Sequence, residues 1–138
     1  MYADTISGEK GKYLNGDDLV INMKMKDGSV ASIVYVATGD KSFPRERIEI
    51  FGGGKVCVID DFKLMTFICS GKKKDIKKFG IDRGYYNEFE VFFSAVKDGN
   101  PIPVDFKEYV FTTLTTFSIM ESIRTGVPVN INNKISNL

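Results

Sequence analysis

From Leu19 to Ser70 apolar and polar positions alternate with a period of two, interrupted at short intervals by turn residues. "LVINMKM" (Leu19 to Met25) places Leu19, Ile21, Met23 and Met25 on one side and Asn22 and Lys24 on the other. "KDG" at Lys26–Gly28 is a turn signal, so the next run, Ser29 to Thr38, predicts an antiparallel hairpin partner. After the connection "GDKSFP" the pattern predicts strands over about Glu46–Phe51, Lys55–Ile59 and Phe62–Ser70. Asp60 and Asp61 mark the turn between the last two. Short connections of this kind favour a meander over parallel crossover units.

From Tyr85 the period becomes helical. Tyr85, Phe89, Phe92 and Val96 recur at spacings of four, three and four, with Tyr86 and Phe93 beside them. "KDGNP" stops that helix, and Asp105 opens a second, with Glu108 at capping-box spacing and Val104 and Tyr109 as a hydrophobic staple. The second helix runs to about Arg124, ended by Gly126 and Pro128, with an edge strand possible at Val127–Ile131. Residues 1–16 read as a flexible lead-in, 17–131 as one α+β domain and 132–138 as a tail. The expected fold is α+β: a mostly antiparallel open sheet with two C-terminal helices packed on one face.

One feature strains that picture. Val30, Val34 and Val36 share one side of the second strand, while Ala31, Ile33 and Tyr35 share the other. The fifth strand sets Phe62, Leu64 and Ile68 against Met65, Phe67 and Cys69 in the same way. Two helices cannot cover both faces, so the pattern predicts a subunit interface, most simply a homodimer through the exposed sheet face. Terminal segments folded over the sheet are the other reading. The second helix is apolar well beyond one stripe, since Phe111, Leu114, Ile119 and Ile123 lie outside the line of Phe106, Val110, Thr113, Phe117 and Met120. Its four threonines, Thr112, Thr113, Thr115 and Thr116, read as packing and backbone-bonding groups.

Composition narrows the chemistry. Net charge is +1, which offers no general attraction for nucleic acid or an anionic membrane surface. The opening residues lack the apolar centre of a secretion signal and no run is long enough to span a bilayer, so a cytoplasmic location is expected. The sequence has no histidine, which removes histidine metal sites and histidine-based triads. Cys57 and Cys69 read as two reduced thiols in apolar strands; a disulfide would need those strands to be neighbours in register. The triple glycine Gly52–Gly54 is followed by "KVCVID", a strand, so it reads as a hairpin corner and not as a phosphate loop opening a helix.

Polar candidates are few. Arg45 and Arg47, near Lys41 and Glu46, would share a face on a strand, where they would grip an anion or make cross-strand ion pairs. "DRGYY" brings Asp82, Arg83, Tyr85 and Tyr86 to a helix start, where the tyrosines would line a sugar site or pack in the core. The lysines at Lys72–Lys74, Lys77 and Lys78 read as a solvated loop within Gly71–Gly84.

The stretches "DDLVINMKMKDGSVASIVYVATGDKSFPRERIEIFGGGKVCVIDDFKLM" and "GYYNEFEVFFSAVKDGNPIPVDFKEYVFTTLTTFSIMESIRTGVPV" together resemble the C-terminal domain of the glucose-fructose oxidoreductase/inositol dehydrogenase/MocA family. The resemblance covers roughly residues 17–129. Within it, "YVATGDKSFPRERIEIFGGGKVCVIDDFKLM" is similar to bacterial chains that join a zinc-type alcohol dehydrogenase part to such an oxidoreductase. The resemblance implies a substrate-side and oligomerisation domain of an NAD(P)-dependent oxidoreductase acting on a sugar or polyol derivative. In that family an N-terminal Rossmann domain binds NAD or NADP and supplies the catalytic lysine, and an Asp followed four residues later by His completes the site. This sequence has neither the Rossmann fingerprint nor any histidine, so it resembles the later part of the second domain of a longer protein. The resemblance therefore implies no catalytic, cofactor or metal residues in this chain, a missing Rossmann domain as partner and substrate contacts from Tyr85 and Tyr86, to which the residue pattern adds Arg45, Arg47 and Arg83. A stand-alone dimerisation module and a small ligand-binding domain without catalysis remain as alternatives.

Overall fold

The computed structural model describes residues 1–6 and 17–132, and the rest of the expected lead-in and tail lie outside the described residues. The chain is α+β, with two open antiparallel sheets and two C-terminal helices. Its contacts divide it into two compact units, Met1–Gly39 with Val104–Leu138, and Asp40–Pro103.

In the first unit β1 (Tyr2–Thr5), β2 (Asp18–Lys24) and β3 (Val30–Val36) form a sheet in that order. The β2–β3 hairpin is the expected one. Its turn is held by Met25 N–H to the Ser29 carbonyl at 2.8 Å and by the Asp27 carboxylate, which accepts from the Ser29 N–H and hydroxyl. Strand β1 corrects the reading of the first residues as lead-in: "YADT" is too short and polar to announce itself, yet it pairs with β2 from Tyr2↔Asn22 to Thr5↔Leu19.

The edge of β1 is closed by the C-terminal helix α2 (Phe106–Thr125), which packs against it. Ala3 is 1% exposed, and Ser118 and Ser122, one helical turn apart, are both 0% exposed. Such small side chains let the helix backbone approach the strand closely. Ser122 Oγ accepts from the Ala3 N–H at 3.0 Å and donates to the Val127 carbonyl at 2.9 Å. Met1 and Val129 exchange two backbone hydrogen bonds, each 2.8 Å. That single pair stands where an edge strand over Val127–Ile131 is expected; no strand forms there. The outward N–H groups of β1 are thus satisfied, and the edge cannot template further pairing.

Helix α2 has the expected ends: the Asp105 carboxylate accepts from the Lys107 N–H, and Gly126 caps the other end at φ +70°. Thr112, Thr113, Thr115 and Thr116 each donate to a carbonyl three or four residues earlier, as their reading as backbone-bonding groups requires.

The second unit is a four-stranded meander of β4 (Arg47–Gly52), β5 (Lys55–Asp60), β6 (Leu64–Cys69) and β7 (Lys72–Lys77), followed by helix α1 (Tyr85–Asp98). It does not continue the first sheet, so the expectation of one five-stranded meander is corrected to two sheets. The corner between β4 and β5 is Gly53–Gly54, at φ +55° and +71°, which matches the right-handed twist of a two-residue hairpin. Strand β7 replaces the expected basic loop. Its lysines carry no apolar alternation, but Ile76 sits opposite Met65, and Thr66 donates to Asp75 across the ladder at 2.7 Å.

Register assigns the faces of this sheet. Ile48, Ile50, Cys57, Ile59, Met65, Phe67, Cys69 and Ile76 share one face, ending at Lys55, Lys72 and Lys74. The other carries Arg47, Glu49 and Asp60 at one edge and Lys73 and Asp75 at the opposite edge, around Val56, Val58 and Ile68. Cys57 lies opposite Phe67, and Cys69 opposite Lys55, so the two thiols are diagonal neighbours. That separation, roughly 7–8 Å, is too long for a disulfide without backbone movement.

Candidate functional site

The polar candidates converge at one end of the second sheet. There the chain before β4, the β5–β6 turn and the approach to α1 meet. Asp61 donates its N–H to the Glu46 carbonyl at 2.7 Å, and Lys78 donates to the Lys63 carbonyl at 2.8 Å. The turn itself is tight. Asp61 and Phe62 have φ of +48° and +52°, and the Lys63 N–H closes the turn on the Asp60 carbonyl at 2.9 Å. A phenylalanine in the left-handed region is strained. The Arg83 guanidinium lies 5.9 Å from its ring centroid, which helps hold it there.

Arg83 also forks onto Glu46. Its Nη2 donates to both carboxylate oxygens at 2.9 and 2.8 Å, and its Nε to one of them at 3.2 Å. The Glu46 carboxylate holds the Arg83 guanidinium above its ordinary range. Asp82 accepts from the Gly84 N–H at 3.0 Å and pairs with Lys78; these contacts lower its pKa, the Gly84 bond most. Gly84, at φ +81°, then turns the chain into α1. Tyr85 and Tyr86 follow, 63% and 78% exposed.

Arg47 is engaged differently. It donates from Nε to Glu49 at 2.8 Å and from Nη1 to Asp60 at 2.6 Å, the cross-strand pairing weighed for it. The Glu49 hydrogen bond, with Asp60 beside it, raises its pKa. Arg45 does not share its face, because β4 begins only at Arg47. Nearby, the Asp61 carboxylate has its pKa lowered chiefly by Lys63 at 2.7 Å.

The structure therefore gathers Glu46, Arg47, Asp60, Asp61, Phe62 and Arg83 into one neighbourhood next to Tyr85 and Tyr86. The role of Glu46 and Phe62 as partners of Arg83 is not readable from spacing, since they lie 37 and 21 positions away; only the turn signal at Asp60–Asp61 hints at it. Chemically this is a set of fixed ion pairs beside two exposed phenol rings. Such rings can stack on the C–H face of a sugar while their hydroxyls bond to it. Among the described residues no cluster of three or more Cys, Asp or Glu is placed to hold a metal ion, and no helix is long and apolar enough to cross a membrane. Comparison with protein-family models, with curated proteins and with solved structures gives no match.

Proposed function

We propose that this chain is the substrate-side and oligomerisation domain of an NAD(P)-dependent oxidoreductase acting on a sugar or polyol derivative, with the nicotinamide carried by a Rossmann segment of the same protein. The observation that carries the reading is the bare apolar surface of both sheets. Val30, Val34 and Val36 are 79%, 69% and 57% exposed on one face of the first, and Ile50 is 56% exposed on the apolar face of the second. Apolar area on this scale marks an association surface. The order of strands followed by two helices supports the family resemblance, and Tyr85 and Tyr86 beside Arg83 supply a sugar-compatible rim.

Translation of the encoding frame upstream of Met1 tests the oxidoreductase part. A Rossmann segment with its glycine fingerprint in the same frame supports it; a frame that opens at Met1 overturns it. In that event the stand-alone dimerisation module is the better reading, since the same bare faces favour it. Calorimetric titration of a sugar and polyol panel tests the rim, with Tyr86→Ala expected to weaken whatever binds.

A further inference from the structure

Helix α1 is amphipathic, and its apolar stripe is exposed. Phe89, Phe92, Phe93 and Val96 form one stripe, and they are between 44% and 62% exposed. Phe93 stacks on Phe89 at 6.2 Å and meets Phe92 edge-on at 5.7 Å, so the rings form a preformed apolar ridge. The helix does not pack closely on the strands of its own unit. At about 100° per residue, Glu88 and Glu90 fall on the two borders of the stripe. Neither carboxylate has an ion-pair partner among the described residues.

The apolar face of the β4–β7 sheet is the complement. Ile48, Ile50, Phe67 and Ile76 are all exposed on it, and it ends at Lys55, Lys72 and Lys74. Among the described residues these three lysines also lack ion-pair partners, whereas Lys63, Lys73 and Lys78 have them. The helix is about 21 Å long at 1.5 Å per residue, and the sheet spans about 20 Å along its strands.

We infer that the occupant of each bare surface is a second copy of this chain: α1 of one copy lies across the apolar face of the β4–β7 sheet of the other, reciprocally, with Glu88 and Glu90 meeting Lys55, Lys72 and Lys74. This rests on the self-association in the proposed function and specifies its surfaces. Area favours it. A standard interface buries ~800 Å² of accessible surface per partner. Helix ridge and sheet face together expose roughly 1,000 Å² per copy, which meets that requirement.

Sedimentation equilibrium of the full chain, with charge variants, tests the inference. The native chain sediments as a dimer. Glu88→Lys with Glu90→Lys weakens dimerisation by roughly tenfold or more, as does Lys72→Glu with Lys74→Glu, and the four changes combined restore it. A strictly monomeric native chain overturns both the exchange and the self-association. A dimer indifferent to the helix reversal overturns the exchange and leaves self-association standing. Phe92→Cys supplies a second measurement, because Cys57 and Cys69 already lie on the sheet face. In mixed ¹⁵N and ¹⁴N chains, oxidation yields helix-to-sheet crosslinks between differently labelled copies. Crosslinks confined to one copy, or a Cys57–Cys57 link between sheets, overturn the arrangement.

Discussion

Ser118 and Ser122 are equally buried but bonded differently, which makes them a matched pair. Ser118 Oγ donates only to the Leu114 carbonyl of its own helix, at 2.8 Å. Ser122 Oγ joins three segments: it accepts from Ala3 in β1 and donates to Val127 beyond α2. Ser122→Ala leaves the buried Ala3 N–H without its acceptor and the Val127 carbonyl without its donor. A buried donor stranded in this way costs about 1–3 kcal/mol, and we take about 2. Ser118→Ala removes a bond that competes with the helix ladder, and its cost is near zero. A difference of about 2 kcal/mol is a large share of the 5–15 kcal/mol typical of a domain. It corresponds to roughly a 30-fold change in an opening equilibrium. Urea unfolding of the two variants reads the difference in midpoint, and native-state hydrogen exchange reads it at the Ala3 amide. Equal destabilisation by both substitutions, or an Ala3 amide that exchanges no faster in Ser122→Ala, would refute the reasoning.

Gly53→Ala and Gly54→Ala each force a side chain into the left-handed region but meet no neighbour within 4 Å, so each lowers stability by about 1 kcal/mol in thermal melts; a nucleotide affinity abolished by either change would contradict the hairpin assignment. Asp18 accepts from the Thr38 hydroxyl at 2.6 Å and from the Ala37 N–H at 2.8 Å, and these bonds lower its pKa, the Thr38 hydroxyl most. Its stabilisation is therefore complete above the unfolded carboxylate's pKa, about 3.9, and is lost as pH falls through the lower folded value. Asp18→Asn flattens that acid limb in a pH series of melts, and an unchanged limb counts against the link. Arg83→Ala frees the approach to α1, so limited proteolysis cuts faster between Lys78 and Gly84. Arg83→Lys does not restore protection, because an ammonium cannot fork onto Glu46; full rescue by lysine would mean that charge alone matters.

Where local chemistry decides an element, the sequence makes it legible. The caps of α2 and the Gly53–Gly54 corner depend on residues within a few positions of one another, and their boundaries fall within one or two residues of the pattern. Strand β7 is hidden because lysine side chains on an edge strand leave no period to read; only its pairing with β6 makes it a strand. Strand β1 is hidden because it is short and polar and the groups that close its outer edge, Ser122 and Val129, lie more than 100 positions away. The division into two sheets follows from the path of residues 37–46, whose composition says "connection" without saying where it leads. At the site, Arg47 finds Glu49 two residues along its own strand and Asp60 directly across the ladder, whereas Arg83 finds an acid that only the third dimension brings near.

The first unit is assembled from both ends of the chain, Met1–Gly39 and Val104–Leu138, while the second is the unbroken stretch Asp40–Pro103. On a ribosome, domains settle as their residues emerge. The second unit can therefore finish before the first does: β1 must wait, its edge open, until Ser122 and Val129 have been synthesised to close it. Translation speed between β1 and Val129, and any chaperone that shields a nascent strand, thus act on the closing of β1.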